Sequence, residues 1–139
     1  MKMIERYVKP LLFEHDAVTI RWILATASLF LAAALMSSNI PFTREAYSIM
    51  AAVGEQGFWA VAFLLHFAGT YWRMLDPVPR PKWALIINAY GVFVWGFMTI
   101  SLNVAQGYWA PGTALECVMV SLSGWALFRT AKAPERLTP

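Results

Sequence analysis

Apolar residues in this chain fall into four long runs, at about 22–38, 58–72, 83–102 and 114–128, separated by short polar stretches. A helix that crosses a hydrocarbon core of ~30 Å needs about 20 mostly apolar residues, so each run is read as a transmembrane helix. The third, WALIINAYGVFVWGFMTISL, carries no charge at all. The second is short unless its helix starts earlier, in AYSIMAAVGEQ, where Gly54 and Gly57 are the places for a bend or a break. The pattern predicts an all-α protein, a polytopic membrane helix bundle of four transmembrane helices, with three spans as the fallback.

A fifth element precedes them. In MKMIERYVKPLLFEHD, residues 1–16, the apolar positions Met3, Ile4, Tyr7, Val8, Leu11 and Leu12 recur at helical spacing opposite Lys2, Glu5, Arg6 and Lys9. That is the pattern of an amphipathic interfacial helix lying in the membrane surface, with Pro10 as a bend. A cleaved signal peptide is the competing reading, but Glu5, Glu14 and Asp16 are out of place in one. The first span is therefore expected to be retained.

Charge sets the orientation. Lys2, Arg6, Lys9 and Arg21 precede the first span, Arg73, Arg80 and Lys82 lie in the middle loop, and Arg129, Lys132 and Arg136 end the chain, which is ten of the 11 basic residues. Cytoplasmic loops are enriched in Lys and Arg, so four spans place all three clusters on one side. Both termini are then cytoplasmic in a multi-pass protein of the cell membrane. Trp22, Trp59, Trp72, Trp83, Trp109 and Trp125 lie near the ends of the runs and are expected to anchor at headgroup level.

Composition agrees, with 59% hydrophobic and 14% charged residues over 139 positions. Tails and short loops leave no room for a soluble catalytic domain. The single cysteine, Cys117, excludes an intramolecular disulfide and a Cys-based zinc site. Of the two histidines, His15 precedes the first span and His66 lies inside the second, so two axial haem ligands at one depth are not expected. No metalloprotease, nucleophile or phosphate-loop motif is present. No enzyme activity and no cofactor are expected.

Polar residues inside the spans carry what chemistry there is. His66 and Asn88 flank the middle loop, each roughly 10 Å from the inner boundary at 1.5 Å rise per residue, so a contact between them is expected across an antiparallel hairpin of the second and third spans. Small neighbours, Gly69 and Gly91 among them, allow close approach. Ser28, in a stripe with Ala25 and Ala32, and Ser121, in a stripe with Cys117 and Gly124, complete a buried polar layer. That layer is read as structural glue, with a proton-responsive histidine (reference pKa ~6.5) or a ligand site as alternatives. Near the start of the fourth span, Thr113 and Glu116 have the Ser/Thr-x-x-Glu spacing of a capping box; the alternative for Glu116 is an intramembrane carboxylate that handles protons or ions.

These features predict a small non-catalytic integral membrane protein that acts by helix contacts with another membrane protein or with itself as a homo-oligomer. Alternatives are an oligomeric pore, holin-like in size and topology but without a diagnostic motif, and a small proton- or ion-coupled transporter. The expected partners are such a protein and the lipid bilayer, where the basic clusters suit anionic headgroups and not nucleic acid.

Overall fold

The computed structural model describes residues 16–37, 45–76, 81–107 and 113–132, all of them helix or short connection. The N-terminal segment expected to lie on the membrane surface falls outside these residues, apart from Asp16. Four long helices are present: α1 over Asp16–Ser37, α3 over Gln56–Leu75, α4 over Pro81–Gln106 and α5 over Ala114–Lys132. Between α1 and α3 come a 3-10 turn, Glu45–Tyr47, and the six-residue helix α2, Ser48–Val53.

Local chemistry sets the helix ends. Pro81 opens α4, where its missing N–H costs nothing and its fixed φ suits the first turn. Gly107 closes the same helix at φ 69°, with its N–H donating to Val104 O at 3.2 Å; this left-handed position favours glycine. Gly54 marks the break between α2 and α3, whose axes differ by 80°. A Cβ there would lie 2.6 Å from Phe58 Cδ1. The segment before the second apolar run thus neither continues that helix straight nor leaves the protein: α2 folds back on α4, burying Met50, and Trp59 Nε1 donates to Met50 O at 2.9 Å.

The helices pack antiparallel to their neighbours. Ser28 meets His66 and Trp22 meets Tyr71, which sets α1 against α3. Phe63 meets Trp95 and Trp59 stacks on Phe97, which sets α3 against α4. Asn103 meets Thr113 and Asn88 meets Thr130, which sets α4 against α5. Contacts of α1 with α5 close the ring. The main interfaces are α1 with α3 and α4 with α5; the hairpin of α3 and α4 expected from the short middle loop packs less extensively. Loop length limits how far apart two helix ends lie, but side-chain fit decides how much of their length touches.

Polarity is distributed in the reverse of a water-soluble bundle. Ser28, His66, Thr70, Asn88, Thr99, Ser101, Asn103, Thr113 and Ser123 are buried, whereas Phe30 at 72%, Ile100 at 66% and Leu65 at 61% are exposed on outer faces. Large apolar faces in water are costly, and in lipid they are not. Two helices, Thr19–Ser37 and Lys82–Gln106, are long and apolar enough to cross a membrane, and the bent pair 45–53 with 56–75 makes a third if it counts as one span. α5 falls short of that standard; its 19 residues include Glu116 and Arg129.

The tryptophans split into two groups. Trp22, Trp72, Trp83 and Trp125 are exposed near helix ends, as interface anchors should be, while Trp109 lies outside the described residues. Trp59 corrects the sequence expectation. It is buried at the core against Phe97, because the 80° bend places α2 over it.

Candidate functional site

Two polar layers cross the bundle interior, one at mid-height of α1 and α3 and one nearer the basic end. In the first, Ser28 Oγ of α1 and His66 Nδ1 of α3 are hydrogen-bonded at 2.8 Å. The imidazole is buried, and its Nε2 edge rests against Gly91 of α4, where a side chain would overlap the ring. Tyr90 stands beside it with ring centroids 6.3 Å apart and donates its hydroxyl to Ala62 O at 3.0 Å. Gly69, on the same face of α3, lies against Ile87, so both glycines sit where α3 approaches α4.

The second layer is built on Asn88. Its Nδ2 donates to Thr130 Oγ1 at 2.7 Å and to Ala126 O at 3.2 Å, both on α5. Thr130 in turn donates to Ala126 O at 2.7 Å. On the other side, Arg73 Nη1 of α3 donates to Asn88 Oδ1 at 3.5 Å, the long limit for a hydrogen bond, and to Ala84 O at 3.4 Å. One amide thus links three helices. The contact expected between Asn88 and His66 is not among these bonds: His66 is taken by Ser28 and Asn88 by Thr130.

Ser121 also departs from the expected layer. It is exposed, and its hydroxyl donates to Cys117 O of its own helix at 2.9 Å. α5 has small residues on two faces, and the buried one carries Ser123 and Ala126 instead.

At the opposite end, Thr113 is buried and its hydroxyl donates to Asn103 Oδ1 at 3.0 Å, which ties the start of α5 to the end of α4. Asn103 Nδ2 donates to Thr99 O at 2.8 Å. Glu116 is half-buried one turn on, and among the described residues its Oε2 has no side-chain or backbone partner. Thr113 therefore acts as a tertiary contact between two helices, a role that its spacing to Glu116 does not signal.

Among the described residues no group of three or more His, Cys, Asp or Glu side chains is gathered where a metal could bind. The interior hydrogen bonds join side chains to each other or to backbone carbonyls of the same or a neighbouring helix, an arrangement that orients helices; Ser28 with His66 is the one place among the described residues where a hydroxyl is hydrogen-bonded to an imidazole. Thr130 and Arg73 were the residues missed by sequence reasoning. Thr130 lies just past the end of the fourth apolar run and one residue beyond Arg129, so a depth count from the basic boundary sets it about 10 Å from Asn88 and carries no signal of their contact.

No known protein family matches the chain, and no curated protein or solved structure is significantly similar to it.

Proposed function

We propose that this is a small non-catalytic integral membrane protein whose work is done by helix contacts with a membrane partner or with a second copy of itself. The observation that carries this reading is the placement of the polar groups. Ser28 with His66 joins α1 to α3 and Asn88 with Thr130 joins α4 to α5, while the outer faces, through Phe30, Leu65, Phe93 and Leu115, offer apolar surface. The polar interior serves orientation, and the outer faces are free to meet lipid or another helix.

In this proposal all four long helices cross the cell membrane and both termini are cytoplasmic. The antiparallel packing supports it, since Arg21, Arg73, Lys82 and Arg129 lie toward one end of the bundle and Glu45, Glu55 and Glu116 toward the other. The positive-inside rule assigns the first end to the cytoplasm. A reporter active only outside the membrane is expected to work when fused near Gly107 and to fail when fused at Pro139 or near Val78. An active C-terminal fusion overturns the four-span topology.

Expression of the chain in growing cells, with membrane potential followed throughout, tests the function itself. Unchanged potential, with recovery of one membrane protein or a second tagged copy after gentle extraction, is the expected outcome. Rapid depolarisation would replace this reading with an oligomeric pore.

A further inference from the structure

The α1–α3 interface has a register that repeats. Ser28 faces His66, and seven residues away along each helix, two turns towards the basic end, stand Arg21 and Arg73. Trp22 and Tyr71 pack edge to face at 6.1 Å beside them, which puts the two arginines level. Both are half-buried, and Arg21 lies close enough to Arg73 for their charges to repel. Arg73 spends one nitrogen on Ala84 O and Asn88 Oδ1. Arg21 Nε is buried, and among the described residues it has no hydrogen-bond partner.

Two like charges withdrawn from water are unfavourable unless a counter-charge meets them. Guanidinium groups match the oxygens of a phosphate in a planar, two-bonded geometry. Trp22, Trp72 and Trp83, exposed at the same end, mark the level at which headgroups lie. We propose that Arg21 and Arg73 together bind a phosphate group between α1 and α3, either the headgroup of an anionic phospholipid or a soluble phosphate. The proposal rests on the membrane reading above.

The test uses the full chain in neutral detergent, with unfolding temperature followed by tryptophan fluorescence. Phosphatidylglycerol is added in one arm and inorganic phosphate in the other, with chloride matched in both. At least one probe is expected to raise the unfolding temperature of the wild type. In Arg21→Gln, which removes a side chain whose Nε has no hydrogen-bond partner among the described residues, the midpoint concentration should rise about tenfold or more, as loss of a charge-assisted contact implies. Arg21→Lys keeps the charge and should fall between the two, and it substitutes for the glutamine variant if that chain does not fold. A response to lipid alone assigns the headgroup, and a response to inorganic phosphate assigns the soluble anion. No response to either probe, or an equal response in both variants and the wild type, overturns the site. A wild-type chain that resists an alkaline carbonate wash of membranes but shows no phosphate response defeats the site alone; release by the wash defeats the membrane reading.

Discussion

Replacing Gly91 with alanine is expected to destabilise the bundle by about 1–3 kcal/mol, the usual range for forcing one extra carbon into a packed interior. The added Cβ would overlap His66 Nε2 and come within 3.0 Å of Cε1 and 3.1 Å of Cδ2. The ring has no easy retreat. Only 2% of His66 is exposed, and its opposite nitrogen is held by Ser28 at 2.8 Å. Relief can come only from breaking that bond or moving α3 away from α4. His66→Ala in the same chain removes the obstacle, so the double variant should lose less than the sum of the two single losses. Unfolding in detergent, followed by circular dichroism, measures all three. An unchanged midpoint for Gly91→Ala, or strict additivity, would show that the imidazole does not rest on the glycine.

Asn88→Leu is expected to cost about 1–2 kcal/mol, somewhat above the average for one polar contact in a membrane bundle. The amide gives up bonds to Thr130 Oγ1 and Ala126 O, and Arg73 is left with Ala84 O alone. Thr130 keeps its bond to Ala126 O, which limits the loss. Double-variant cycles locate the partner: Thr130→Val should couple strongly to Asn88→Leu because the hydrogen bond is shared, while His66→Leu should couple weakly because that ring bonds Ser28. Stronger coupling to His66 than to Thr130 would return the pair expected from the middle loop. The measurement therefore separates two architectures that pair the same buried residues differently.

That contrast shows how far depth alone reaches. The count from Arg73 and Lys82 puts His66 and Asn88 inside the spans, and both are buried. Rotation about each helix axis was the missing coordinate. Asn88 and Gly91 are three residues apart on α4, yet the glycine faces His66 and the amide reaches α5. Ser28 was named in the polar layer by its depth as well, and its pairing with His66 emerges only when α1 is set against α3. Ser121 failed for the same reason, since small residues occupy two faces of α5 and their spacing does not say which face turns inward.

The apolar runs by themselves determined the helical class and the approximate extent of each long helix. The observed helices span 16–37, 56–75, 81–106 and 114–132, against runs of 22–38, 58–72, 83–102 and 114–128. Such information is one-dimensional: a helix closes its own backbone hydrogen bonds, so an apolar run flanked by glycine, proline or charge is enough to define it. Which helices pair, which face of each is inside, the 80° fold of α2 over Trp59 and the juxtaposition of Arg21 with Arg73 were decided by the tertiary structure. In lipid an apolar side chain gains little by choosing the interior over the exterior, so hydrophobic periodicity carries almost no directional signal. Steric fit at Gly69 and Gly91 and a few hydrogen bonds made by Ser28, His66, Asn88 and Thr113 choose the faces instead. Those choices exist only once all four helices are in place.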